Sequence, residues 1–246
     1  DYAMGMIYPT EENPVTIHLT AGTISPSINN EIFPINMYSN INIVGSSEEV
    51  TILDAEQTGR VLRMDNCQNN IISGLTITGG IAIAIEETDY EEDGDGGGIL
   101  LRYSNPRLEQ VTIKNNMSHD DGGGMYLYHS DPVLIQVTIT HNTADIGGNN
   151  NFGGGGMYLW HSDPTISDVT ITHNTSYNGG GILLWNSNPI LDDVVITYNT
   201  AYNGGGGMLL EYSNPTLTDV TISNNTADGS GGGMSVHSNS DPTLIH

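Results

Sequence analysis

The sequence of 246 residues contains one cysteine and only five lysines and arginines, against 29 aspartates and glutamates. Because Cys67 has no second cysteine to pair with, we expect backbone hydrogen bonds and stacked side chains to hold the fold together. The formal net charge of −24 would repel phosphates and anionic lipid surfaces. Nucleic acid is therefore not expected as a partner.

Long apolar stretches are also missing. No run of eighteen apolar residues occurs, so direct membrane insertion is not expected. The chain begins at Asp1 without a signal-like segment and stops at His246 in the middle of a repeat, which is typical of a processed fragment of a longer protein. A secreted or cell-surface protein that lacks disulfides favours a bacterial source.

What the sequence has in abundance is glycine, with 31 residues, many of them within a repeat. Copies of the repeat align on prolines that lie 25 to 32 residues apart, a period typical of solenoids. Apolar residues alternate before each proline, and a second apolar stretch follows it, which predicts two strands per coil with a bend between them. The aligned prolines are Pro106, Pro132, Pro164, Pro189, Pro215 and Pro242.

An asparagine follows each second strand, three residues after an isoleucine that is predicted to point inward. Stacked at about 4.8 Å, the side-chain amides can hydrogen-bond from coil to coil. The glycine runs would then close each coil, because glycine accepts positive φ and carries no Cβ. The asparagines are Asn116, Asn142, Asn174, Asn199 and Asn225.

These patterns predict one all-β solenoid domain over residues 1–246, with regular coils over residues 99–246. Residues 15–98 carry the same strand pattern less regularly. Residues 1–14 are predicted to form a cap, in which a short helix with Ala3, Met6 and Ile7 on one face would cover the open end of the first coil.

The stretch TAGTISPSINNEIFPINMYSNINIVGSSEEVTILDAE, followed by coils of the form GGGM…SNPTL…VTI…NNTA, resembles the right-handed parallel β-helix proteins of the pectin-lyase-like superfamily. The resemblance covers nearly the whole chain and is strongest to the Gly- and Asn-rich segments of bacterial secreted and cell-surface proteins. It implies the fold and an extracellular location. It implies no particular activity, because one fold carries many functions.

The copies differ most at the outward positions of the strand before the proline, where aromatic residues gather. We predict that they form an exposed aromatic strip, a surface against which sugar rings pack. The alternative is a ladder that only stabilises the sheet, by about 0.2–1 kcal/mol per pair. His129 and His161 precede Ser-Asp-Pro in register and are interpreted as turn residues, with ligation of a metal by the stacked pair as the alternative. The strip consists of Tyr126, Tyr128, Tyr158, Trp160 and Trp185.

Two insertions, IAIAIEETDYEEDGDGG and ADIGGNNNFGG, lengthen the repeat at one corner, beside the predicted strip. Acidic residues around Gly94 match the opening of a calcium-binding loop. Leu100 stands where that loop needs its closing glutamate, so a solvated acidic loop is the alternative. Calcium is thus the one cofactor considered, with Asp89, Glu91, Asp93 and Asp95 as its candidate ligands.

The function predicted is a non-catalytic extracellular surface or fibre module that binds a polysaccharide or cell-surface glycan. The first alternative is a calcium-assisted polysaccharide lyase or glycoside hydrolase. The five basic residues suggest no cationic cluster for a lyase, and His119-Asp120-Asp121 is explained as a turn. The second alternative is an ice-binding protein, from outward Thr-x-Thr pairs, or a structural filament subunit that self-associates end to end through open strand edges.

Overall fold

A computed structural model describes residues 7–84, 94–144 and 153–246. In these residues the chain forms a right-handed parallel β-helix of stacked coils, with three parallel sheets, here called A, B and C, along its sides. The predicted fold class is confirmed. Among the described residues, no helix is long and apolar enough to cross a bilayer.

Sheet A contains the strands that follow the prolines. All its strand pairs are parallel, and equivalent residues of successive copies lie side by side, as Ile113 does with Ile139. With strands numbered in chain order, sheet A contains β1 (Val15–His18), β2 (Gly22–Ile24), β4 (Ile41–Val44), β5 (Thr51–Asp54), β7 (Ile71–Thr78), β10 (Arg107–Lys114), β13 (Val133–Thr140), β16 (Thr165–Thr172), β19 (Ile190–Thr197), β22 (Thr216–Thr218), β23 (Thr221–Ser223) and β26 (Thr243–Ile245).

Sheet B contains the strands that precede the prolines, and each of its regular strands follows a glycine run. It consists of β3 (Ile35–Asn36), β6 (Leu62–Asp65), β9 (Ile99–Arg102), β12 (Met125–Tyr128), β15 (Met157–Trp160), β18 (Ile182–Trp185), β21 (Met208–Glu211) and β25 (Met234–His237).

Sheet C was not predicted. Its strands are short and, apart from the first, follow the ladder asparagines. Two of them consist of Thr-Ala alone, which shows no alternation of apolar and polar residues. They are β8 (Ile81–Ala82), β11 (Met117–Ser118), β14 (Thr143–Ala144), β17 (Thr175–Asn178), β20 (Thr200–Gly204) and β24 (Thr226–Ala227).

The side chains that point inward from sheets A and B fill one continuous apolar core along the axis. The predicted inward isoleucines Ile113, Ile139, Ile171 and Ile196 are fully buried. The prolines align as expected, because the residue after each bend donates its N–H to the proline carbonyl of the preceding coil. Val133 bonds Pro106 in this way at 3.0 Å, and Thr165 bonds Pro132 at 3.1 Å.

The asparagine ladder is confirmed. The side chain of Asn142 donates to Asn174 Oδ1 at 3.0 Å and to the carbonyl of Ile113 at 3.0 Å. The same Oδ1 of Asn174 accepts the backbone N–H of Asn142 at 2.9 Å. Asn116, Asn174 and Asn199 repeat this arrangement with the next asparagine. Each amide therefore joins the coils on both sides of it.

A serine ladder, which was not predicted, fixes the corner after sheet B. The backbone N–H of Ser130 donates to Ser162 Oγ at 2.9 Å, and that of Ser162 donates to Ser187 Oγ at 3.0 Å. Each hydroxyl also bonds a carbonyl two residues back, as Ser130 Oγ does with Tyr128 at 2.9 Å. All three serines are fully buried.

The predicted cap falls partly outside the described residues. Residues 1–6, with Ala3 and Met6, lie there, and residues 7–14 form no helix. Ile7 packs against the apolar core. The one helix in the described part of the chain, α1 (Pro26–Asn29), lies further along, where Ser25 Oγ caps it by accepting the N–H of Ile28 at 3.3 Å.

Candidate functional site

The outer surface of sheet B carries two parallel files of side chains. The inner file contains Tyr126 and Tyr158, and the outer file contains Tyr128, Trp160 and Trp185. Because neighbouring strands pair in register, Tyr126 lies beside Tyr158, and Tyr128 lies beside Trp160. Trp160 in turn lies beside Trp185. The strands therefore bring together the five aromatic residues that the sequence singled out.

The inner file is buried, which corrects the prediction that all five residues are exposed. Tyr126 is 5% exposed and Tyr158 is fully buried, and they form a second apolar cluster with Leu100, Leu183 and Leu209. The reason is that the glycine corner before each strand folds back against this file. A Cβ built on Gly154 would lie 2.9 Å from Tyr158 Cβ. Tyr126 and Tyr158 thus support the surface from below and are not available to a ligand.

Burial also fixes the chemical state of Tyr158. Desolvation, and next the negative charges of Asp121, Asp95 and Glu211, raise the pKa of its phenol far above the usual range. The hydroxyl is therefore protonated at neutral pH, and Tyr158 is not a base.

The half-buried rings of the outer file and the exposed corner residues beside them form one surface, called here the aromatic face. The corner residues take left-handed backbone angles, with φ of 47° at His129 and 50° at His161. Each is followed by a serine of the ladder, so its position is fixed from coil to coil. The aromatic face consists of Tyr103, Tyr128, His129, Trp160, His161, Trp185 and Tyr212.

The rings of the aromatic face touch in an unbroken sequence. Tyr103 meets Tyr128 edge to face at 5.5 Å between centroids and stacks on His129 at 5.3 Å. His129 stacks on His161 at 5.0 Å, and His161 meets Trp160 at 5.8 Å. The contacts end with Trp160 stacked on Trp185 at 5.4 Å and Trp185 against Tyr212 at 5.7 Å.

The two indoles do not lie flat on the sheet. Their planes differ by 5°, and they stack along the axis of the solenoid, so each indole covers one face of the other. A ligand on this surface therefore contacts ring rims and the outward parts of the rings. Stacking of this kind also holds the rings in place before a ligand arrives.

Sequence reasoning missed four members of the aromatic face. Tyr103 and Tyr212 are 48% and 47% exposed, and His129 and His161 are exposed too. The signal that could have found them is their constant place directly before the ladder serine. We interpreted the two histidines as turn residues, which they are, but a left-handed turn residue also presents its side chain at the surface.

Charged side chains flank the aromatic residues of the outer file on both sides. Asp65 lies beside Arg102 in register, and Glu211 lies beside Trp185. Asp65 accepts the Nε–H of Arg63 at 2.6 Å and that of Arg102 at 2.5 Å. Partial burial alone would raise the pKa of Asp65, but the hydrogen bonds and charges of the two arginines outweigh it and lower that pKa. Asp65 is therefore an ion-paired carboxylate at neutral pH.

Three of the candidate calcium ligands, Asp89, Glu91 and Asp93, lie outside the described residues. Asp95 is described and is 3% exposed. Its Oδ1 accepts the backbone N–H of Asp121 at 2.9 Å, and its carbonyl accepts the Arg60 guanidinium at 2.9 Å. In the described ranges 7–84, 94–144 and 153–246, no group of three or more His, Cys, Asp or Glu side chains could hold a metal ion.

Apart from Arg63 and Arg102, which meet at Asp65, the basic residues are dispersed over the solenoid. Arg60 is 8% exposed, and Arg107 pairs with Glu109. Lys114 lies on sheet A between Thr78 and Thr140. The Thr-x-Thr pairs line up on that same sheet, where Lys114 and Val195 interrupt them.

Comparison with known sequences and structures gave one family. The family described as "Right handed beta helix region" matches residues 62–246. No curated protein matches. The chain is similar in structure to the A-module of mannuronan C-5 epimerase AlgE6 from Azotobacter vinelandii, at 12% identity and a TM-score of 0.38, over 95% of this chain and 90% of that one.

The catalytic unit of a GH87 alpha-1,3-glucanase from Streptomyces thermodiastaticus is similar at 11% identity and a TM-score of 0.27, over 94% of this chain and 64% of that one. At such identities and TM-scores neither protein bears on the function of this chain.

Proposed function

The chain belongs to the right-handed β-helix family, and with this fold as the premise we propose that it is a non-catalytic module that binds a glycan along its aromatic face. The observation that carries the proposal is the unbroken sequence of ring contacts from Tyr103 to Tyr212 at the surface of the solenoid. Over four coil spacings of about 4.8 Å it extends for about 19 Å. A surface of this shape suits an extended chain of sugars rather than a small compact ligand.

The way the rings are held supports binding. Sheet B fixes their backbone on one side, and the buried serine ladder fixes it on the other. Little side-chain freedom is then lost when a ligand binds, which favours affinity. Aromatic rings with polar groups nearby are also the usual surface for sugars, which present both C–H bonds and hydroxyls.

The two carboxylates that flank the aromatic residues of the outer file are not placed as a glycosidase pair. Glycosidases place two carboxyl groups about 5 to 9.5 Å apart. Asp65 and Glu211 are separated by five coil spacings of about 4.8 Å, or about 24 Å. A general acid also needs a raised pKa, whereas that of Asp65 is lowered.

Trp160→Ala tests the proposal. We expect the variant to bind a neutral hexasaccharide at least tenfold more weakly than the wild type, because the indole connects His161 with Trp185 in the centre of the aromatic face. The probes are cellohexaose, xylohexaose and mannohexaose, and the measurements are calorimetric titration and tryptophan fluorescence. Tyr198→Ala is the matched control, since Tyr198 is 54% exposed and stacks on His173 at a different corner.

Two results would contradict the proposal. One is a wild type that binds none of the three hexasaccharides, and the other is equal loss of affinity in Trp160→Ala and Tyr198→Ala. The enzyme alternative is tested on the same preparation. Incubation with pectate, alginate and the polymers that correspond to the three hexasaccharides is expected to release neither reducing ends nor unsaturated products. Release of either would contradict the non-catalytic function and favour the enzyme alternative.

A further inference from the structure

A cleft of about 370 Å³ lies at one end of sheet B, where the aromatic face begins. Its lining comes from the coils of β3 and β6, directly before the coil of Tyr103. The cleft adjoins the aromatic face, because Asn66 in the cleft donates its backbone N–H to the carbonyl of Arg102 at 2.9 Å, and Arg102 precedes Tyr103 in the chain. The volume falls within the range of small-molecule sites, which begins at about 300 Å³.

The lining mixes hydrogen-bond donors and acceptors around an aromatic ring. The acceptor is the Asp65 carboxylate, and the charged donor is the Arg63 guanidinium, whose side chain is 32% exposed. Asn36 and Asn66 add exposed amides, and Tyr38 adds a ring that is 52% exposed. A donor, an acceptor and a ring within one cleft match a sugar unit, which presents vicinal hydroxyls and a C–H face.

The charges favour a neutral sugar over an acidic one. Arg63 and Arg102 both donate to Asp65, so each of the two guanidinium groups already has a carboxylate partner. A ligand carboxylate would have to approach Asp65 itself, within a protein of formal net charge −24. Hydroxyl groups meet no such repulsion, because they donate to the carboxylate and accept from the guanidinium or an amide.

We infer that this cleft is a subsite for one neutral sugar unit and that it ends the glycan site, so that the ligand is a neutral glycan whose chain lies along the solenoid axis from the cleft across the aromatic face. The inference rests on the proposed function and adds the class of ligand and its direction. β3 is the terminal strand of sheet B in the described part of the chain, so the file that the ligand follows begins there. From β3 to β21, six coil spacings of about 4.8 Å give a site about 29 Å long.

The test measures the binding of four probes to wild type, Arg63→Gln and Tyr38→Ala. The probes are cellohexaose, xylohexaose, mannohexaose and hexagalacturonate. We expect the wild type to bind at least one neutral hexamer and not hexagalacturonate. Each variant is expected to bind that neutral hexamer about tenfold more weakly. Tyr38→Ala removes an exposed ring outside the ion pairs, so it keeps the test decisive if Arg63→Gln does not fold, and Tyr198→Ala again serves as the control.

The outcomes separate this inference from the proposed function. If the wild type binds a neutral hexamer and Trp160→Ala weakens binding, but Arg63→Gln and Tyr38→Ala bind as the wild type does, the aromatic face remains and the cleft subsite is wrong. If hexagalacturonate binds as tightly as the neutral hexamers, the neutral ligand class is wrong. If the wild type binds no probe, both the function and the subsite are overturned.

Discussion

Replacing Asn174 with alanine is expected to lower the free energy of unfolding by about 3–5 kcal/mol, because buried polar groups that lose their partners cost about 1–3 kcal/mol each. Asn174 is fully buried in the middle of the asparagine ladder. Its Oδ1 accepts two hydrogen bonds from Asn142, and its Nδ2 donates to Ile139 and Asn199. Alanine leaves these groups without those bonds.

The measurement is denaturant unfolding of the wild type and Asn174→Ala, with Asn188→Ala as the matched control. Asn188 also accepts a backbone N–H from the next coil, that of Asn214 at 2.8 Å, but it is exposed, so water replaces the lost bond. The control is expected to lose at most about 1 kcal/mol. Equal losses of unfolding free energy in the two variants would mean that burial of the ladder contributes nothing to stability.

The coil architecture was predictable because its signals recur in every copy. A proline, an inward isoleucine and an asparagine at fixed spacing define two strands and a ladder, and a register error would misplace all of them together. Sheet C could not be predicted in the same way. Strands such as Thr143–Ala144 contain two residues, and neither their composition nor their length differs from that of a turn.

The site was predictable only in part. Alternation along β12 and β15 gave the correct outward face for Tyr126 and Tyr158, but alternation says nothing of a corner that folds back over that face. The cleft was missed for another reason. Tyr38 and Arg63 lie in the irregular early coils, where no repeat places them in one file, and the pairing of β3 with β6 brings them together.

The hydrogen-bonded ladders hold the coils that carry the aromatic face in register. Every residue of the face lies on sheet B or on the left-handed corner that precedes a ladder serine. Loss of register between the coils of β15 and β18 would separate Trp160 from Trp185, and loss of register between the coils of β12 and β15 would separate His129 from His161. The interior of the coils therefore determines whether a binding surface exists at all.

The glycine runs set the register of the coils. Replacing Gly181 with alanine is expected to lower the free energy of unfolding by about 3–5 kcal/mol or to prevent folding. The reason is that overpacking that must move the backbone costs more than an added methyl group usually does. A Cβ on Gly181 would lie 2.5 Å from the carbonyl oxygen of Gly207, well inside van der Waals contact. That oxygen accepts the N–H of Ile182 at 3.0 Å, the bond that joins the two coils at this point. The methyl group would therefore push the coils apart where they must meet.

Gly233→Ala is the matched control for Gly181→Ala. It occupies the same place in its glycine run, but a Cβ there would meet only Ile222 Cγ2 at 3.5 Å, an ordinary contact. Neither glycine has positive φ, so backbone strain is the same in both variants. Denaturant unfolding is expected to place Gly233→Ala within about 1 kcal/mol of the wild type, because alanine also restricts the unfolded chain. If Gly181→Ala were as stable as Gly233→Ala, close contact between coils would not be what requires glycine in these runs.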